Sequence, residues 1–267
     1  MVTPTFTIRG NNGLQRDINV TKTDFKLDTV LQHSVIDTPS ARVGYVAFTA
    51  FLETSNAELD TAFQTFSEAG ITELVLDLRY NGGGRISVAN NLASKILGSA
   101  YQGRVFADIA FNDKYAENNQ SYQFNNQTDA LNLSRVFVLT TSSTCSASEM
   151  VVNGLRPFVD VVTVGSTTCG KPYGSAPDEA CGKAMNALRI KFVNASGEGD
   201  YYEGLPGTCA ASDDVDKPLG DSSEAMLATA LDYLGSGSCT VQATTSRSRS
   251  LPVMRSADPL RDESNLH

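Results

Sequence analysis

A serine acts as a nucleophile when a neighbouring group takes its proton, and histidine is the usual base. This chain has only two histidines in 267 residues, His33 and the terminal His267. His33 lies within a strand-like run, where a packed or surface histidine is the better reading than a triad member. The patterns G-x-S-x-G, H-E-x-x-H and G-x-x-x-x-G-K-[ST] are absent. A nucleophilic serine here needs a different base. Three segments carry suitable residue types. Ser143-Thr144-Cys145-Ser146-Ala147-Ser148-Glu149 sets small hydroxyls where a helix begins. Unpaired amides and the positive end of the helix dipole there suit a developing oxyanion, although plain N-capping explains the same residues. Asp77-Leu78-Arg79-Tyr80-Asn81-Gly82-Gly83-Gly84-Arg85 lets backbone amides approach a ligand closely. It lacks the Lys-Ser/Thr that completes a phosphate cradle, and a tight turn is its plain reading. Thr167-Thr168-Cys169-Gly170-Lys171-Pro172-Tyr173-Gly174 surrounds one lysine with small, apolar and aromatic neighbours. Burial would penalise its ammonium and suit it to accept a proton.

Each segment must be held by regular elements. Residues 4–20 read as a hairpin about the Gly10-Asn11-Asn12-Gly13 turn, and 31–37 as a strand. From Arg42 strands alternate with helices. RVGYVAF (42–48) is a strand, and Ser55-Asn56-Ala57-Glu58 has capping-box spacing before Leu59, Ala62, Phe63 and Phe66 at helical intervals. Gly70 closes that helix. Strand 72–78 is continuously apolar, as a buried parallel strand is. A helix over 86–97, a strand over 104–111 and a polar, Asn/Gln-rich surface excursion over 112–130 follow. Strands over 135–141, 160–165 and 187–193 and helices over 147–155 and 223–234 complete an α/β core.

Bulk properties narrow the functions. The net charge of −9 repels nucleic acid and anionic membrane. The dense basic run, Ser246 to Arg249, reads as a solvated tail. No run of about 18 apolar residues exists for stable membrane insertion. The start at Met1-Val2-Thr3 reads as placed inside a longer precursor whose signal segment is missing. Five cysteines without CxxC spacing do not compose a zinc site, and no metal or other cofactor is expected. Four of them fall in loop-like segments between 145 and 209, which favours disulfides and an oxidising, periplasmic or extracellular, location. Cys181 with Cys209 is the expected bridge and Cys145 with Cys169 a second, leaving one thiol over.

Taken together, D-L-R-x-N-x-G-G at Asp77–Gly84, S-A-S-E at Ser146–Glu149 and the pair Gly170-Lys171 resemble the carboxyl-terminal-processing, or tail-specific, serine proteases. The interval of 25 positions from Ser146 to Lys171 matches that family. VGYVAF before the first core helix and YYEGLPGTCAASDDVDKPLGD before the last extend the resemblance over about residues 40–235.

The resemblance implies a crotonase-like or ClpP-like α/β core at 41–235. It makes 1–40 a short β segment, long enough for the last strands of a PDZ domain at most, and 236–267 an extended tail. It implies an endopeptidase that cleaves near protein C-termini, with polypeptide substrates, no nucleic-acid partner and an oligomeric state left open. Ser146 would be the nucleophile and Lys171 the base. Ala147, Gly84 and Gly83 would supply the oxyanion hole; Glu149, Arg79 and Asn81 would support it. The family's acidic residue eleven positions after the nucleophile is Pro157 here, and its Gln four after the lysine is Ser175, so a third catalytic member is unassigned. A catalytically silent binding module on the same fold is the alternative. If Lys171 rather than histidine is the base, His33→Ala leaves peptide cleavage unchanged within about twofold. Initial rates on folded protein check this; a large loss contradicts the dyad.

Overall fold

The computed structural model describes residues 3–239 except 11, 24 and 25. Its centre is a five-stranded sheet in the order β3-β4-β5-β8-β9. These strands are β3 (Val30–Asp37), β4 (Arg42–Phe48), β5 (Glu73–Asp77), β8 (Arg135–Thr140) and β9 (Asp160–Gly165). The last four run parallel, and β3 closes one edge antiparallel to β4. Both faces are covered, which is why the parallel strands are so apolar. Side chains alternate between the faces. Val46, Leu74, Leu76, Val136 and Val138 meet the helices α1 (Ser55–Ala69), α2 (Ile86–Leu97) and α3 (Ala147–Leu155) in one core. Val43, Tyr45, Val75, Phe137 and Leu139 face α4 (Ala225–Ser236) in the other.

A second, antiparallel sheet has the order β10-β11-β6-β7. It comprises β6 (Val105–Phe111), β7 (Gln120–Gln123), β10 (Tyr173–Ala180) and β11 (Lys183–Val193). β1 (Thr5–Arg9) and β2 (Gln15–Asn19) pair with each other as a hairpin.

Several sequence expectations change. The excursion at 112–130 contains a 3-10 helix, Asp113–Asn118, and β7, which pairs through backbone bonds to β6 and so needs no apolar signature. β10 was hidden by its polar composition, and β11 begins at Lys183, earlier than expected. The Ser55–Glu58 capping box does not form. Thr54 is the N-cap, and the Glu58 carboxylate instead accepts from Thr29 N (2.7 Å) and Val30 N (2.9 Å), anchoring the entry to β3. Cys181 does not pair with Cys209. Cys181 is an exposed thiol in the β10–β11 turn, whereas Cys209 is buried beside Val164 in the second core and bonds Cys239. Cys145 does pair with Cys169. Of the tail, residues 240–267, including the Ser246–Arg249 run, lie outside the described residues.

A buried ion network locks α4 to the end of β5. Arg79, 2 % exposed, bonds Asp77, Asp213 and both oxygens of Glu224, the N-cap of α4. Tyr45 Oη donates to Asp77 Oδ2 at 2.7 Å. Burial and the Asp77 charge push the Tyr45 hydroxyl well above its usual range. Burial alone would raise Glu224, but the Arg79 bond and the amides of Leu227 and Met226 outweigh it and hold the carboxyl below its ordinary value. A depressed carboxyl contributes stability above its unfolded pKa of ~4.3 and loses it as pH falls through the folded value. The urea midpoint is therefore expected to fall on acidification below about pH 4. Glu224→Gln is expected to lose part of the neutral-pH stability and to flatten that acid dependence. An unchanged pH profile in the variant contradicts the linkage.

Candidate active site

The three chemistry-bearing segments follow the carboxyl ends of three neighbouring parallel strands, β5, β8 and β9. In open α/β sheets that edge is where ligands sit. Register alone thus brings the glycine loop, the Ser146 loop and the Lys171 loop side by side.

Ser146 is the N-cap of α3, with φ 58° and ψ −114°. Such a backbone is costly for a residue with a Cβ, about 1–3 kcal/mol, and persists only when its surroundings over-determine it. Here Cys145 N donates to Asn81 O (3.0 Å), and Thr144 Oγ1 to Leu78 O (2.8 Å). Ser148 Oγ donates to Asn81 O (2.9 Å), and Ser146 N to Glu149 Oε2 (2.9 Å). Ser146 itself is half-buried.

Asn81 shapes the glycine loop. Its Nδ2 donates to Phe48 O at 3.0 Å, and its Oδ1 accepts from Gly83 N at 2.9 Å. Gly83 has φ 100°, and a Cβ there would lie 2.8 Å from Ser146 Cβ and 2.9 Å from Ala147 N. Gly84 has φ 144°, and a Cβ there would lie 2.3 Å from Phe51 O. Only glycine lets the loop close on the serine. Among the described residues, Ala147 N and Gly84 N donate to no protein acceptor, while Gly83 N is taken by Asn81. The Arg79 side chain turns away from the loop into the α4 network; its carbonyl accepts from Thr141 Oγ1.

The Lys171 loop is joined to the Ser146 loop in two regions. The Cys145–Cys169 disulfide stands beside both Ser146 and Lys171, and Cys169 N donates to Thr144 O at 3.0 Å. Glu149 makes the second link. Its fully buried carboxylate accepts Thr168 Oγ1 (2.5 Å) and Gly170 N (2.8 Å) on one oxygen. The other oxygen accepts Lys171 N and Ser146 N, both at 2.9 Å. Gly170 (φ 79°) sits so close to Tyr202 O that a Cβ would approach it to 2.2 Å.

The burial expected of Lys171 is not found. Its backbone amide is drawn inward to Glu149, but the residue is exposed, and no hydrogen bond joins it to Ser146 Oγ among the described residues. Sequence reasoning also missed Thr168 and Tyr201. Thr168 Oγ1 accepts from Leu205 N (2.7 Å) and donates its own hydrogen bond to Glu149. Tyr201 is buried, its hydroxyl has no hydrogen-bond partner among the described residues, and burial, with the Glu149 charge, raises it above its usual range. Neither carries a local pattern that marks it. His33, on β3, packs edge-on against Phe66 of α1 (ring centroids 6.2 Å apart), pairs with Val46 of β4, and lies in none of the three loops. Cys145, Glu149 and Cys169 have donor atoms within 4.8 Å of one another. With both sulfurs bonded together and both carboxylate oxygens doubly occupied, the trio has no lone pairs arranged for a metal.

The removal of Glu149's ionised acceptors has a calculable cost. In Glu149→Gln the amide NH2 would face two of the four donors, orphaning each at about 1–3 kcal/mol. A loss of about 2–6 kcal/mol in chemical denaturation is expected on that basis. A change within the error of the extrapolation would show that the carboxylate is not the hub described.

A family model described as peptidase family S41 matches residues 42–197. The carboxy-terminal processing protease CtpA of Bacillus subtilis (strain 168) is 23% identical over 207 residues, 74% of this chain and 43% of that protein. The chloroplastic C-terminal processing peptidase of Tetradesmus obliquus is 27% identical over 130 residues, 49% of this chain and 26% of that protein. A crystal structure from Bacteroides fragilis NCTC 9343 assigned to the S41 proteases superposes with a TM-score of 0.75 at 28% identity, covering 88% of this chain and 66% of that one. The chain spans less than half the length of these two curated relatives.

Proposed function

This chain belongs to peptidase family S41, and on that premise we propose that it is a serine endopeptidase in which Ser146 is the nucleophile and Lys171 the general base. Neutral Lys171 Nζ takes the Ser146 Oγ proton as Oγ attacks the scissile carbonyl. The oxyanion that forms accepts from Ala147 N and Gly84 N. Gly83, its own amide held by Asn81, contributes the close approach of the loop. Collapse expels the leaving amine, which takes the proton from Lys171, and water then hydrolyses the acyl ester by the same route. The observation that carries this reading is the single carboxylate of Glu149, which accepts from the amides of both Ser146 and Lys171. Asn81 supports the glycine loop directly; Arg79 supports it through the backbone of the β5–α2 connection.

Polypeptide laid across the three loops would exclude water from the space between Ser146 and Lys171. The names of the relatives point to cleavage near protein C-termini. We assign the catalytic unit to 41–235, with 1–40 and 236–267 outside it. Two disulfides favour a periplasmic or extracellular setting. Among the described residues no helix is long and apolar enough to cross a membrane.

One observation favours a second reading, a silent ligand- or peptide-binding module: Lys171 is exposed and not bonded to Ser146. A digest of a peptide library separates the two. Ser146→Ala and Lys171→Ala are each expected to lower cleavage by a factor on the order of 10⁴ while the protein stays folded. Lys171→Arg is expected to be equally inactive, because guanidinium keeps its proton. No cleavage by the unaltered protein supports the binding module, and turnover by Lys171→Arg sends the proton elsewhere.

A further inference from the structure

The Cys145–Cys169 bond stands one residue before Ser146 and two before Lys171. We propose that it is a positioning bond for this pair and makes peptidase activity depend on the thiol–disulfide state: on when oxidised, off when reduced. The inference rests on the assignment of Ser146 and Lys171 made above.

Three observations carry it. First, the bond joins the two loops that must stay in register for proton transfer, and a displacement of about 1 Å at such a pair costs on the order of a hundredfold in rate. Second, Ser146 holds a left-handed backbone, φ 58°, that needs constraint from both sides. Glu149 restrains its amide from the helix side; on the other side its neighbour Cys145 is held by the disulfide and by Cys145 N to Asn81 O. Third, the bond is open to a thiol. Cys169 is exposed and Cys145 half-buried; in the second bridge Cys239 is exposed and Cys209 buried in the core, so the bridge that opens has to be identified by mapping. The rest of the fold does not hang on the Cys145–Cys169 bond. α3 is fixed by its own core contacts, and β9 by its core contacts and by parallel pairing with β8. Reduction therefore loosens the two loops rather than the domain.

The chemistry is thiol–disulfide exchange with a dithiol as reductant. A thiolate of the dithiol attacks one sulfur, the Cys145–Cys169 bond breaks through a mixed disulfide, and the dithiol closes on itself. Two electrons and two protons pass to the protein, leaving two thiols. In a compartment rich in reduced thiols the peptidase would be silent, and it would switch on after reaching an oxidising one.

The test uses the whole chain in its oxidised form and after dithiothreitol, with alkylation and mass mapping to identify the opened bridge. When Cys145 and Cys169 are alkylated, kcat is expected to fall on the order of a hundredfold with KM nearly unchanged and far-UV circular dichroism retained. Oxidised glutathione is expected to restore kcat in protein reduced but not alkylated. The double variant Cys145→Ala/Cys169→Ala is expected to share the low kcat and to ignore dithiothreitol. Retained kcat, in the variant or in protein with this bridge opened, overturns the inference and leaves the peptidase assignment intact. Loss of activity accompanied by unfolding also overturns it, since the bond is then a staple of the fold. An oxidised protein without Ser146-dependent cleavage overturns the assignment itself, and this inference with it.

Discussion

One buried carboxylate organises the site. Glu149 has no exposed surface and gathers four donors from two chain segments about twenty residues apart. A buried charge is tolerable only when fully hydrogen-bonded, so the demand runs both ways. The carboxylate needs those amides, and the loops that carry them can take only the conformation that delivers them. The left-handed Ser146 and the turn at Gly170 are the two places where the backbone bends to comply.

The sheet makes that arrangement reachable. Parallel order β5-β8-β9 sets three strand ends in a row, and apolar packing on both faces fixes the register. A slip of one residue would turn Val136 and Val138 out of one core and Phe137 and Leu139 out of the other. Behind the row, the Arg79 cluster ties β5 to α4, and a hydrogen bond from Thr141 to the Arg79 carbonyl carries that rigidity to the serine loop. Stability and reactivity thus share a boundary. The charges on the α4 side are closed and paired, while among the described residues Ala147 N and Gly84 N beside the serine have no protein acceptor.

Much of this was legible in the sequence where periodicity and chemistry agreed. The ranges of β4, α2, α3 and β9 coincide with the apolar patterns, because each is buried over most of its length. β10 escaped because its polar, Gly- and Pro-containing strand is defined by backbone pairing with β11. The Ser55–Glu58 spacing misled because a tertiary demand, the orphan amides of Thr29 and Val30, competed for the same carboxylate. Disulfide pairing failed at Cys209 for a related reason: both candidate cysteines lie in loops, and only the fold reveals that one is at a hairpin tip and the other inside a core. The three site motifs were visible as motifs, but the exposure of Lys171 and the convergence on Glu149 are products of tertiary structure.

The central claim is that Ser146 is a reactive nucleophile activated by Lys171. It is tested most directly by treating the protein with a serine-reactive fluorophosphonate and mapping the adduct by mass spectrometry. The expected result is a single adduct on Ser146 that forms far more slowly in Lys171→Ala. An adduct on another residue, or labelling of Ser146 at the same rate without Lys171, would contradict the account.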